Sequence, residues 1–246
     1  MSFPCMIATT VTNDASRPTY DWTQISGLRE YEVDAGDHWI FDKGDAGNLA
    51  GGLASTNLAP VGTAPTYTAN SLVTAEGMNG LRTIFPDAAT MTVAGVFKHM
   101  DVPTVGHGRP LISSETSFAE QGGSAILDLS SAIYMRSRQA SATNMAGATT
   151  IAIGGWMFVA MSCNDDTNLQ QFFIGGLAPQ SATVEKTLGD RNIALGNAYT
   201  ISEGYLHGCE CAELIVWPDA ALNLTAIQSV YARSKIRMSR RELAVF

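Results

Sequence analysis

Residues 205–231 read YLHGCECAELIVWPDAALNLTAIQSVY. The first part, Leu206 to Trp217, is a short extended segment with a glycine near its start and an unbroken apolar run at its end. Pro218-Asp219-Ala220-Ala221 is turn chemistry, because proline presets φ and aspartate caps its own backbone. From Asn223 onward the spacing changes. Ile227, Val230, Tyr231 and Ser234 fall at i, i+3, i+4 and i+7, a narrow stripe on one side of a helix. Asn223 is the expected N-cap, with Leu222 before it placed to staple against Ile227. A strand, a turn and a helix therefore close the chain, and what precedes them must supply the sheets they complete.

Working back from this closure, the chain reads as strands separated by turns. Residues 156–176, WMFVAMSCNDDTNLQQFFIGG, form the clearest hairpin. Trp156, Phe158, Ala160 and Ser162 face one way, and Met157, Val159, Met161 and Cys163 the other. Both faces are apolar, so the strand is buried on both sides. Asn164 to Asn168 is its turn. The segment 91–100, MTVAGVFKHM, alternates with one strongly apolar side. Further short strands are expected at 109–114, on either side of Ser130-Ser131, and at 191–196. His38 to Phe41 forms another dense apolar run, with Trp39 and Phe41 on one face. Glycine, alanine, threonine and asparagine dominate residues 44–70, as in loops built around short extended pieces. Strands at short intervals with one terminal helix predict an all-β sandwich in a single domain over 31–246. Residues 1–30 are set apart as an N-terminal docking arm or first strand.

Composition narrows the function classes. The 246 residues carry a net charge of −8, and only 15% are charged. An acidic body is a poor partner for nucleic acid. Five cations, Arg233, Lys235, Arg237, Arg240 and Arg241, crowd the last fourteen residues; without them and Glu242 the body holds 10 basic against 22 acidic residues. Such a terminal patch suits nucleic acid or membrane, but the plainer reading is that these cations favour the helix C-terminus and meet the acidic body. No apolar run approaches the ~20 residues of a membrane span. The first residues, MSFPCMIATT, have neither basic start nor apolar core, so no signal peptide is expected. Cys5, Cys163, Cys209 and Cys211 show no C-x-x-C spacing, so free thiols rather than a zinc site are expected.

Asp165, Asp166 and Asn168 offer oxygen ligands, but two adjacent acids fall short of the 6–8 oxygens calcium takes, and an ordinary turn explains them. His99 and His107 flank a glycine-rich loop with Asp101, without the strand–turn–helix nucleophile context that would make them catalytic. His207, Cys209 and Cys211 share one strand face and lack a fourth ligand. Glu30, Glu32 and Asp34 alternate in a polar setting and read as a solvated edge strand. Glu210 and Glu213, three apart, are expected on opposite strand faces. Of the four tryptophans, Trp39 and Trp156 sit in core-like strands. Trp22 and Trp217, beside turns, are the candidates for stacking on sugar. Residues 44–52, GDAGNLAGG, lack the lysine and helix of a phosphate loop. No catalytic set emerges.

The order of these motifs carries a resemblance. A W-M-F-V-A-M-S strand, a polar turn, F-F-I-G-G, then I-A-L-G, then G-C-E-C-A-E-L-I-V-W and the helical tail resemble the concanavalin A-like, laminin-G-like jelly-roll superfamily as found in phage virion surface proteins. Trp156, Gly176, Gly196, Gly208, Glu213, Leu222, Ile227 and Tyr231 stand at its matching positions. The resemblance implies a jelly-roll β-sandwich with a short C-terminal helix. It also implies a non-enzymatic, lectin-like role, since the E-x-D-x-x-E of the superfamily's glycosidases is absent. In that role the chain would be a tail-fibre, tail-tip or capsid-decoration module on the virion surface, assembled in the host cytoplasm. It would bind host-surface glycan or neighbouring virion proteins and form a homo-oligomer, with a trimer the expected form. Glycan contacts are expected at Trp22, Trp217, Asp165, Asp166 and Asn168. No cofactor is expected, calcium at that turn being the one ion the resemblance allows. A glycan hydrolase or lyase on the same sandwich, or a purely oligomerising protein, are the alternatives.

Overall fold

A computed structural model describes residues 31–42, 45–48, 58–102, 108–115, 122–129, 131–137, 143–148, 151–199 and 205–246. Among the described residues, a short 3-10 turn at Glu32–Asp34 is followed by sixteen strands in chain order. They are β1 Asp37–Asp42, β2 Asp45–Asn48, β3 Leu58–Val61, β4 Thr66–Tyr67, β5 Leu72–Val73, β6 Gly80–Pro86, β7 Met91–Lys98 and β8 Arg109–Ser113, then β9 Ser124–Asp128, β10 Ala132–Ser137, β11 Thr143–Ala148, β12 Trp156–Asn164, β13 Leu169–Ile174, β14 Gln180–Thr183, β15 Asn192–Gly196 and β16 Glu210–Trp217. The α-helix of the described residues, α1, spans Leu224–Ser239.

The strands form two antiparallel sheets. One runs β14-β13-β12-β7-β16-β1-β2, with β5 also on β16 and β4 on β5. The other runs β11-β10-β9-β8-β15-β6-β3. The last strand of the chain thus lies in the middle of its sheet, between β1 and β7. The expected all-β sandwich with a C-terminal helix is what the chain adopts.

Alternation decides the core. Trp39, Phe41, Val93, Phe97, Met157, Val159, Leu214 and Val216 point between the sheets and meet Leu81, Leu111, Ile126, Ile133, Met135 and Ile193 from the second sheet. The opposite parity, Ala94, Val96, Phe158, Ala160, Ala212, Ile215 and Trp217, makes a second core with Ile227, Val230 and Met238 of α1 and with Leu243 and Val245 of the tail. The chain is therefore three layers deep along β7, β12 and β16. This corrects the expectation that β7 has one apolar side: the helix covers the other, and both faces are buried.

Helix α1 begins where its cap chemistry places it. The Asn223 side chain accepts the Ala226 N–H at 2.9 Å. Its buried face holds Ala226, Ile227, Val230, Arg233, Ser234, Arg237 and Met238. Tyr231 stacks at its margin on Phe158 and Phe173, with ring centroids 5.5 and 5.6 Å away. The apolar stripe is narrow because two arginines complete it. After the helix the tail returns to the sheet. Val245 bridges to Trp156 in parallel, and the Phe246 N–H donates to the Trp156 carbonyl at 2.9 Å.

Candidate functional site

The sequence-nominated residues do not converge. Trp22 lies outside the described residues, as do His107, Glu30 and the whole 1–30 arm. Trp217 is fully buried under α1, its indole N–H donating to the Tyr31 carbonyl at 2.8 Å. Its place beside a turn suggested a surface residue, but its parity matches Ile215, and the helix folds back over that face. No sugar can stack on it. Asp165, Asp166 and Asn168 are exposed at the β12–β13 turn. There Thr167 donates its N–H to Asn164 Oδ1 at 3.1 Å, and Asn168, at φ 52°, accepts the Val184 N–H at 2.6 Å. This is an Asx turn with local purposes for its polar groups. Trp217 pairs with Thr92, and Thr92 with Ser162, so the turn and the tryptophan stand at the same end of the sheet without sharing a surface. No group of three or more His, Cys, Asp or Glu side chains able to hold a metal occurs among the described residues.

The carboxylates that looked available are mostly used inside. Glu32, expected on a solvated edge, is buried in the 3-10 turn between two arginines. Arg233 Nε lies 2.8 and 2.9 Å from its oxygens, and Arg237 Nη1 3.0 Å away. Arg237 Nε also donates to Glu213 Oε1 at 2.6 Å, and His38 Nε2 lies at the same distance from that atom. The edge reading failed because no local pattern shows the helix that lands on this segment 200 residues later. Burial keeps His38 neutral by pushing its pKa below the ordinary 6.5, against the pull of Glu213. Burial opposes the Glu213 carboxylate too, but the Arg237 charge and the His38 hydrogen bond outweigh it and hold the pKa well below the carboxylate range. Two carboxylates and two guanidiniums therefore balance, with a neutral imidazole donating to one of them.

A β-bulge places Glu213 there. The β16–β7 register shifts between Cys211 and Glu213, so two residues of β16 oppose one of β7. Ala212 and Glu213 then both face the helix. Glu210, on that side as well, bonds to Lys98 at 2.9 Å and accepts from Ser71 at 2.7 Å. The two glutamates expected on opposite faces share one, but only Glu210 nears solvent.

Three further acids are committed in the same way. Asp87 holds Lys186 at 2.6 Å and accepts from Ser114 at 2.8 Å. Asp128 takes His99 Nδ1 and the Met100 N–H, each at 3.1 Å, with Arg109 3.6 Å away. Glu115 pairs with Arg136 through two contacts. All these groups are buried, so they brace loops and strand ends rather than meet a substrate. Cys163, Cys209 and Cys211 are free and buried; burial lifts the first two thiols to about 11 and raises the third well above its ordinary value, which makes them poor nucleophiles.

What remains open lies elsewhere. The helix covers the outer face of the larger sheet, and in the smaller sheet Arg82 and Ile84 of β6 are exposed. The chain reverses at Gly196, φ 74°, and Tyr199 folds back so that its hydroxyl donates to the Asn192 carbonyl at 2.7 Å. Arg191 stacks over the Tyr199 ring at 5.7 Å. Burial pushes the Tyr199 hydroxyl up to about 12, against the charges of Arg82 and Arg191. Sequence reasoning missed this cluster, because Arg82, Arg191 and Tyr199 come from two strands and a reversal and form no motif.

No protein-family model matches the chain, and no curated protein matches it. Solved structures do match. The binding domain of botulinum neurotoxin serotype D superposes with a TM-score of 0.60 at 13% identity, over 84% of this chain and 52% of that one. A serotype D ligand-binding domain in complex with N-acetylneuraminic acid gives 0.59 at 15%, over 85% and 53%. The type G receptor-binding domain gives 0.59 at 10%, over 82% and 51%. The chain thus spans about half the length of these neighbours, which are binding domains rather than catalytic ones. At these identities the likeness shows the fold alone: a lectin-like β-sandwich of two antiparallel sheets, closed by a C-terminal helix.

Proposed function

We propose that this chain is a non-enzymatic, lectin-like binding module of a phage virion. It would be a tail-fibre, tail-tip or capsid-decoration component that attaches to host-surface glycan or to neighbouring virion proteins. The observation that carries the binding reading is the shared fold. Over more than four fifths of its length this chain follows domains that bind receptors, one of them held with N-acetylneuraminic acid. The commitment of Glu32, Glu115, Asp87, Asp128 and Glu213 to buried ion pairs supports it, since acid–base work on a polysaccharide needs carboxylates in reach of the glycosidic bond. In this reading the module needs no cofactor. It works as a homo-oligomer, with a trimer the form proposed, and residues 1–30 dock it to the particle. The virion assignment itself rests on the motif order and the tail.

The test uses the purified full chain. Binding to a glycan array or to bacterial cells, together with its detection by mass spectrometry in purified particles, is the expected result. A monomer that binds neither glycan nor cells and is absent from any particle would remove the proposal. Hydrolysis or lysis of a polysaccharide would replace it with the enzyme reading.

A further inference from the structure

We propose that Lys186 and Asp87 condense into an intramolecular isopeptide bond, a covalent tie between the turn after β6 and the segment that joins β14 to β15. The proposal concerns how the sandwich is held closed and is independent of what the module binds.

Lysine is seldom buried, because its ammonium loses water that few sites replace. Among the described residues Lys98 and Lys235 both reach solvent, whereas Lys186 is buried. Its Nζ lies 2.6 Å from Asp87 Oδ1, with side chains 3% and 0% accessible. The other neighbours of Nζ are the Ala88 carbonyl at 2.6 Å and Met91 Sδ at 3.4 Å. A thioether is a weak acceptor, so the ammonium is poorly matched on that side. Met91 pairs with Cys163 across β7 and β12, and both are buried in the main core. The carboxyl, in turn, is gripped at both oxygens by neutral donors. Ser114 Oγ donates to Oδ1 at 2.8 Å, and the Gly189 N–H donates to Oδ2 at 2.9 Å.

That arrangement supplies the parts of an acyl transfer. The reacting form is the one in which the shared proton sits on Oδ1, which leaves Nζ with a lone pair. Nζ then attacks Cγ, one bond away from the oxygen it already touches. The Gly189 N–H faces the oxygen on which negative charge grows, as an oxyanion donor does. The Nζ–Cγ bond forms and the Cγ–Oδ1 bond breaks. Of the three ammonium protons, one stays on the amide nitrogen and two leave with Oδ1 as water. Nothing is oxidised or reduced. Groups held in contact react as if at effective concentrations on the order of 10⁵ M or more, which takes the place of an activating reagent. The released water has partners at hand. Ser124 donates its N–H to Ser114 Oγ at 3.0 Å and pairs with Ser137, and the hydroxyls of Ser124 and Ser137 are buried without a hydrogen bond. The product exchanges two buried charges for a neutral amide, which removes the desolvation cost of the ion pair. It also closes a long loop in the unfolded chain, as a disulfide would.

The experiment is mass spectrometry of the purified full chain, intact and after tryptic digestion. The expected intact mass is one water lighter than the sequence requires. The digest should contain one branched species joining the Asp87 peptide to the Lys186 peptide, with cleavage after Lys186 blocked. Lys186→Arg and Asp87→Ala should restore the full sequence mass and lower the thermal midpoint. Asp87→Asn should give the same branched product, with ammonia released in place of water. Ser114→Ala removes a hydrogen bond from the leaving oxygen and should slow linking after refolding by about tenfold. The wild-type chain alone decides the question, so nothing depends on whether a variant folds. A full sequence mass with separate Asp87 and Lys186 peptides overturns the proposal and leaves an ordinary buried ion pair. A lost water without the branched peptide overturns it as well, since dehydration at an aspartate elsewhere would then be the source. Either result leaves the glycan reading standing.

Discussion

Arg237→Met is the most informative single change. Arg237 lies between Glu213, at 2.6 Å, and Glu32, at 3.0 Å, on the buried face of α1. Methionine fills similar volume without charge. Glu32 keeps Arg233, so the charge left over belongs to Glu213, which is fully buried. Removing one partner of a buried pair costs about 3–5 kcal/mol, because an uncompensated charge remains in low dielectric. At a urea slope of about 3 kcal/mol/M, expected for a chain of this size, the midpoint falls by roughly 1–1.7 M. Adding Glu213→Gln should recover at least half of that loss. Glutamine keeps an acceptor for His38 Nε2–H and removes the stranded charge, so the cluster is again neutral. The assay is urea unfolding followed by circular dichroism and tryptophan fluorescence, with coincident transitions checked. A midpoint shift below about 0.3 M for Arg237→Met, or a double variant no more stable than the single, would refute the claim that charge balance holds the helix to the sheet.

Four other outcomes are expected. Stability should fall on acidification in two stages: His38 is held neutral in the folded chain, so the unfolded chain takes the proton first as pH drops through about 6.5, and the depressed Glu213 pKa adds a further loss below about 4.5. His38→Gln should remove the upper stage in thermal melts against pH, and an unchanged profile would exclude His38 as its source. Deleting residues 243–246 uncovers the second core at Leu243 and Val245, with an expected loss of about 3–6 kcal/mol by urea titration at ~1.5–3 kcal/mol per buried side chain. Gly208→Ala places a Cβ 2.1 Å from the Thr74 carbonyl oxygen, which is backbone and cannot swing aside, so a loss of about 1–3 kcal/mol is expected. Millimolar calcium should leave the thermal midpoint unchanged; a rise of several degrees that Asp165→Asn abolishes would place an ion at that turn.

Legibility differed sharply between fold and site. Strand parity was readable at Trp39 and Phe41 and along 156–163, because side chains alternate whatever the neighbouring strand. The Asn223 cap was readable because capping is local. Glu32 and Trp217 were misplaced for one reason: each took its setting from its sequence neighbours, whereas α1, packed from far along the chain, buries both. The bulge at Cys211–Glu213 defeated simple alternation, so Glu213 arrived beside Arg237 instead of facing away from Glu210. The cluster of Arg82, Arg191 and Tyr199 left no trace in spacing, since pairing of β6 with β15 and the reversal at Gly196 assemble it.

Short alternating strands closed by a capped helix were legible in the chain alone, because periodicity, turns and caps act within a few residues. Which charges are buried and which stay open followed from packing between distant elements. Burial depends on what lands on a surface, and here the last helix covers the face of the larger sheet, with Arg233 and Arg237 neutralising Glu32 and Glu213. Arg82 of β6 and Arg191 just before β15 stay exposed.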